Sequence, residues 1–227
     1  MDDRERAREH FRELAAEFAR KGEPYSWFEA LYQEAERGEA IIPWDDVAPN
    51  GNMVAFWKAR GWDPSGQSAL VVGCGLGDDA EQIAAWGFRT TAFDVAPTAI
   101  AMAKKRFPGS VVDYNVADLF APPAEWPAKW VAAFDFVFEC NTVQALPAEI
   151  RAKAIEKIAG FVKPAGRLLV IARAREESDP PGQLPWPLTR GEIDGFVRAG
   201  LQEESFEDIN DMEPPWVRRF RVLYRRP

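Results

Sequence analysis

Short apolar, β-branched runs alternate with amphipathic stretches over most of the chain, and that alternation predicts an α/β architecture. Strands are expected at 69–72, 90–94, 111–114, 134–139 and 167–172, with helices at 79–86, 98–107, 149–162 and 189–198. Ile155, Ile158 and Val162 fall at i, i+3 and i+7, and Lys163-Pro164-Ala165-Gly166 breaks that helix before the next strand. Short strands separated by helices imply a parallel sheet covered on both faces. The pattern changes at the end, where 205–209 and 217–224 read as two strands with no helix between them, an antiparallel hairpin closing the sheet edge. Before residue 65 the periodicity is helical: Phe11, Leu14, Ala15 and Phe18 share one face of 2–20, an aromatic-rich segment covers 25–37, and a short helix covers 52–60. Two regions are therefore expected, an N-terminal helical and aromatic extension over 1–65 and a cofactor-binding domain over 66–227.

The stretch SALVVGCGLGDDAEQIAAWGFRTTAFD, 68–94, carries most of the functional information. A β-branched run ends in Gly73, Gly75 and Gly77, a helix follows, and the next strand stops at Asp94. Glycines let the main chain turn tightly and approach a ligand, and an acid ending the second strand accepts the hydroxyls of a ribose. A dinucleotide fingerprint needs a third glycine where Asp78 stands, and Asp78-Asp79 puts two negative charges where a diphosphate would lie. The spacing suits S-adenosylmethionine instead, a phosphate-free cation. No Gly-Lys-Ser/Thr follows, which excludes a Walker loop.

Charge and composition narrow the partners. The net charge is −8, and the basic cluster RRFRVLYRRP is confined to the C-terminal residues, so a nucleic-acid substrate is disfavoured and a small molecule expected. No apolar run approaches a membrane span, and MDDRERAREH is too charged for a signal peptide. With two cysteines far apart, Cys74 and Cys140, no disulfide framework is expected, and the cytoplasm is the expected compartment. The single histidine, His10, lies in the charged N-terminal helix, and no Ser-His-Asp, HExxH or CxxC arrangement exists, so hydrolytic and zinc chemistry have no support in the motifs.

The order of five parallel βα units and a terminal hairpin resembles the class I S-adenosylmethionine-dependent methyltransferases. Within them the chain is similar to the thiopurine and halide/thiol methyltransferase family, through Gly73-Cys74-Gly75-Leu76-Gly77-Asp78-Asp79, the aromatic Trp27–Tyr32 stretch, Pro43-Trp44-Asp45, Asp118-Leu119-Phe120, FDFVFE with a following LP, and the proline-rich 180–187. The resemblance implies a Rossmann-like, seven-stranded, mainly parallel sheet with helices on both faces. It also implies a site in which the glycine loop, with Cys74, passes under the methionine part of the cofactor. Asp94 would hold the ribose hydroxyls, Val95 would be a further cofactor contact, Asp118 and Leu119 would meet the adenine, and Trp27, Tyr32 and Trp44 would cover the cofactor, aromatic faces being suitable neighbours of a sulfonium. Glu139, ending the fourth strand, is expected beside the sulfonium, with Glu139 and Asp45 the candidate general bases. Cys140, Pro185 and Trp186 are expected to shape the acceptor pocket. Val71 stands where many class I enzymes have an acid, and Cys140 where thiopurine enzymes have an arginine.

The activity expected is methyl transfer by in-line attack onto a small, largely apolar acceptor, releasing S-adenosylhomocysteine. A thiol is preferred, with a nitrogen heterocycle or phenol as alternatives. The competing readings are a non-catalytic S-adenosylmethionine-binding protein and an NAD-dependent oxidoreductase. A monomer or weak homodimer is expected.

Overall fold

The computed structural model describes residues 3–211 and 217–227. Seven strands form one sheet in the order β3-β2-β1-β4-β5-β7-β6. They are β1 (Ser68–Val72), β2 (Arg89–Asp94), β3 (Asp113–Val116), β4 (Phe134–Cys140), β5 (Val162–Arg173), β6 (Gln202–Asn210) and β7 (Arg218–Arg225). The first five pair in parallel, whereas β7 runs antiparallel to both β5 and β6. β7 is thus the one inverted strand, inserted between two that run the same way. The expected terminal hairpin is present, and its second strand occupies the inner position.

The central strands read as continuous apolar runs because both faces are covered. One face packs against α6 (Trp126–Trp130), α7 (Ala148–Phe161), α8 (Arg190–Ile193) and α9 (Gly195–Arg198), through Trp126, Ile155, Ile158, Ile193 and Phe196 against Leu70, Val137, Leu168 and Val170. The other packs against α3 (Gly51–Arg60), α4 (Asp78–Ala85) and α5 (Pro97–Arg106), through Met53, Phe56, Ile83 and Ile100 against Val71, Phe136, Phe138 and Leu169. α3 begins at Asn50, whose side chain accepts from the N–H groups of Asn52 and Met53, an N-cap worth about 1 kcal/mol. α5 begins with Pro97, where a missing N–H costs nothing, and ends in Lys104, Lys105 and Arg106, which complement the helix dipole. Two further helices, α1 (Asp3–Arg20) and α2 (Trp27–Glu36), lie outside these layers.

The structure departs from the sequence reading in five places. β5 begins at Val162 rather than Arg167, so Lys163-Pro164-Ala165-Gly166 lies within the strand, where its pairing with β4 shifts register. β3 starts at Asp113 because Val111 is 83% exposed and only Val112 turns inward. α6 was not expected; its short, proline-bearing sequence has no helical period, and it forms around a stacked Trp126–Trp130 pair packed on Phe93. The helix expected over 189–198 is two short helices, broken at Asp194. β6 extends over 202–210, longer than expected, while residue 2 of the first predicted helix lies outside the described residues. Among the described residues no helix is long and apolar enough to cross a membrane.

Candidate functional site

The parallel strands end on one side of the sheet, where open α/β sheets hold their ligands. β1 leads there into a loop in which Gly73, Gly75 and Gly77 all have positive φ. A Cβ at Gly75 would lie 3.0 Å from the Tyr32 hydroxyl, and one at Gly73 would lie 2.5 Å from Thr142 Oγ1. Gly77 caps α4, and Tyr114 stands against it, its hydroxyl donating to Glu81 at 2.7 Å. Cys74 is buried beneath the loop in the apolar core.

Asp94 ends β2 facing this loop. Its two oxygens accept from the Gly75 N–H at 2.9 Å and the Ala96 N–H at 3.0 Å, so the carboxylate ties the loop to the turn before α5. Burial raises its pKa and the N–H groups of Ala96, Gly75 and Val95 oppose that rise. Next to it a cleft of about 460 Å³ opens, lined by Phe18, Tyr25, Glu29, Gln33, Val95 and Asp118 among others. Val95 and Asp118 therefore meet across one space. Leu119 is buried against the core, and Asp118 accepts from the Phe120 N–H at 2.7 Å.

Further acids surround the loop. Asp78 pairs with Arg106 at 3.2 Å, and Asp45 pairs with the same guanidinium at 3.1 Å. Asp79 accepts from the Asn50 N–H at 2.7 Å, and burial pushes its pKa up to about 6.

The N-terminal helices close over this end of the sheet. Tyr32 is buried with Ile42, Leu76, Ala96 and Ala99, and its hydroxyl accepts from Trp44 Nε1 at 3.1 Å. Burial and the nearby Asp94 carboxylate keep that hydroxyl protonated far above its ordinary range. Glu29 accepts from both the N–H and the hydroxyl of Thr98, at 3.0 and 2.6 Å, fastening α2 to the first turn of α5. Trp27 is placed differently from its two aromatic partners: it is buried between Phe11, Phe28, Leu31 and Leu184, and serves as the core of the covering helices. Trp186 packs on that cluster, and its N–H donates to the Gln144 carbonyl at 2.9 Å, with Pro185 half-buried beside it.

β4 supplies the middle of the crevice. Glu139, expected beside the cofactor, has a fully buried side chain. Oε1 accepts from the Val143 N–H at 3.0 Å and Oε2 has no partner, so burial pushes the carboxyl up to about 7. The next side chain, Cys140, lies on the opposite face and accepts from Asn50 Nδ2 at 3.4 Å. Burial raises the pKa of both Cys74 and Cys140 well above an ordinary thiol, so neither is an activated nucleophile. Glu29, Asn50 and Thr142 were not singled out in the sequence. A carboxylate immediately after the aromatic Trp27-Phe28 pair was the only cue to Glu29, and it is indistinguishable from an ordinary surface helix acid.

A parallel sheet of this order with one inverted strand is a fold shared with solved S-adenosylmethionine-dependent methyltransferases. Residues 69–166 match the model of the methyltransferase domain family, a span that holds the glycine loop, Asp94, Asp118 and Glu139. Over 83 residues the chain is 30% identical to the thiopurine S-methyltransferase of Vibrio atlanticus (strain LGP32), covering 37% of this chain and 38% of that protein. Among solved structures, one from work on the conversion of a disulfide bond into a thioacetal group during echinomycin biosynthesis superposes with a TM-score of 0.69. It is 22% identical, over 88% of this chain and 91% of the other. The 1,6-didemethyltoxoflavin-N1-methyltransferase of Burkholderia thailandensis, solved with bound 1,6-didemethyltoxoflavin and S-adenosylhomocysteine, superposes with a TM-score of 0.65 at 18% identity, over 88% and 86% of the two chains. At these identities the structural likeness concerns the fold.

Proposed function

We propose that the protein transfers a methyl group from S-adenosylmethionine to a small, largely apolar acceptor, with sulfur as the preferred nucleophile. The observation that carries this reading is the Asp94 carboxylate, bonded to the Gly75 N–H and directly preceding Val95, which lines one cleft with Asp118. The Gly75 and Ala96 N–H groups reach different oxygens of this carboxylate, which would accept the ribose hydroxyls with its remaining lone pairs. The glycines would receive the methionine part, and Val95, Asp118 and Leu119 the adenine. The acids around the loop favour a cation and disfavour a diphosphate, which argues against NAD. Tyr32 and Trp44 stand over Gly75, so the methionine end reaches the loop only when they withdraw.

The cofactor, when bound, supplies a methyl group already activated on a sulfonium. What the protein adds is alignment and exclusion of water, and well-oriented pairs reach effective molarities on the order of 10⁵–10⁸ M. The preference for sulfur follows from the state of the candidate bases. Glu139 is sealed in the core and Asp45 is engaged by Arg106 and by the Val47 N–H at 3.0 Å. A phenol or alcohol needs a base, whereas a thiol ionises without one near neutral pH. Glu139 then acts through the backbone, holding the turn that seats Thr142 against Gly73; it is a positioning residue.

Isothermal titration with S-adenosylhomocysteine tests the cofactor assignment, and absence of binding sinks it. A screen of thiols, azoles and phenols for S-adenosylhomocysteine release tests the acceptor. Thiols are expected to turn over fastest; faster turnover of azoles or phenols would overturn the preference. Tight binding with no turnover of any acceptor would leave a cofactor-binding protein without transferase activity.

A further inference from the structure

On the far side of β4 from the cofactor cleft, at the C-terminal end of β5, the chain collects positive charge. Arg173 and Arg219 are direct partners on the antiparallel β5–β7 pair, so their side chains leave the same face of the sheet. That face also carries Cys140. Arg219 donates from Nε to both oxygens of Asp211 at 2.8 Å, and Asn52 Nδ2 donates to the same carboxylate at 2.9 Å. Arg219 Nη1, by contrast, is buried without a partner. Arg173 is half-buried and its guanidinium has no ion pair among the described residues. The fields of the Arg219, Arg8 and Arg12 guanidiniums act on it, with the Asp211 carboxylate opposing them. Burial, followed by those three arginines, pulls its pKa down to about 10.

Two neutral side chains complete the surroundings. Gln144 is 1% exposed; its Oε1 accepts from the Arg173 N–H at 2.6 Å, which leaves its Nε2 a buried donor with no acceptor. Asn141, held at φ 66° immediately after β4, has a buried Oδ1 without a donor. Unsatisfied buried polar groups are rare in folded proteins and each costs about 1–3 kcal/mol. Here two unpaired donors and an unpaired guanidinium belong to residues joined by β5–β7 pairing and by the Gln144 bond. The neighbouring Thr142 touches Gly73 of the cofactor loop, which puts this cluster beside the point where an acceptor would meet the loop.

We infer that Arg173, Arg219 and Gln144 form an anion subsite that binds a carboxylate on the methyl acceptor. A guanidinium presents paired N–H donors that match a carboxylate, and one held among other cations favours an anion beside it. The acceptor is then apolar at the nucleophile and anionic at its other end. Only the word acceptor rests on the methyl-transfer reading; the anion preference stands on the arginines.

The test uses ligand-observed titration of the full chain with benzoate, its neutral counterpart benzamide, and inorganic phosphate, with and without saturating S-adenosylhomocysteine. Benzoate is expected to bind at least ~10-fold more tightly than benzamide. Arg173→Gln should remove that preference while S-adenosylhomocysteine affinity stays within about twofold. Because Arg173 has no ion pair to lose, Arg173→Gln should melt no lower than the parent chain without ligand. A marked fall in its melting temperature would make Arg173 a structural residue and overturn the proposal. Equal binding of benzoate and benzamide, or tighter binding of phosphate than of benzoate, overturns it as well. Arg219→Gln serves as the second variant, and because it strands Asp211 it is read only on benzoate against benzamide. Failure of S-adenosylhomocysteine to bind defeats the methyltransferase reading and leaves the benzoate preference measurable on the protein alone.

Discussion

The two ends of the crevice are built from the same sheet and carry opposite charge. Around the glycine loop stand Asp78, Asp79, Asp94, Asp118 and Glu29, every one placed on a strand end, a helix start or the covering helix α2. At the end of β5 stand Arg173 and Arg219, with Arg8 and Arg12 of α1 in range. A net charge of −8 conceals this division. The acids at the first end are mostly paired: Asp94 by backbone N–H groups, Asp78 by Arg106, Glu29 by Thr98. The arginine end retains orphaned donors. The lesson is that the first end is organised before any ligand arrives, whereas the second is completed by one.

Asp94→Ala is the most damaging way to break the acidic end. Charge-assisted hydrogen bonds contribute about 1.5–3 kcal/mol each, so losing two should weaken S-adenosylhomocysteine binding by ~100-fold or more in calorimetry. Unchanged affinity would detach Asp94 from the site. Glu139 separates the two ends, and its titration has a definite sign. Its pKa rises from the ordinary 4.5 to about 7, so the buried proton stabilises the fold fully below about pH 4.5 and is lost as pH rises through about 7. Above that the ionised carboxyl costs about 3 kcal/mol. Glu139→Gln should therefore raise the urea midpoint at pH 8 and lose that advantage near pH 4.5; a pH-independent difference would mean that the carboxyl does not titrate there. Asp79 shifts in the same direction, so the difference between variant and parent is the quantity to follow. The smallest effect is expected for Glu29→Ala, which frees α2 from Thr98 at a cost of about 1–2 kcal/mol. Limited proteolysis should then cut faster between α1 and α2, and an unaltered rate would mean that the aromatic packing alone holds the covering helices.

The acidic end was legible in the sequence and the basic end was not, for a physical reason. Gly73, Gly75, Gly77 and Asp94 lie within one βαβ unit, so spacing along the chain reports their spacing in space. Arg173 and Arg219 come together only through the register of β5 with β7, and neither differs in sequence from any arginine flanking a strand. Glu139 shows the same limit from the other direction. Its place at a strand end was correct, but the alternation of β4 turns it into the core, whereas Cys140 faces the opposite side. β3 was misplaced because an edge strand buries few of its residues, and Val111 imitates a core valine while lying exposed. α6 is held by tertiary contact between tryptophans, which no local period reveals.

The inner position of β7 has a consequence for assembly. Until β7 inserts, the outer edge of β5 presents a row of unpaired backbone groups, and β6 has no neighbour through which to join the sheet. A chain emerging from the ribosome can pair β1 to β5 and close the glycine loop while that edge still stands open. Asp94 can find Gly75 early, but Arg173 meets Arg219 only when the last strand docks. The half of the crevice proposed to select the acceptor is thus the last to form, and the half proposed to hold the cofactor can be in place first.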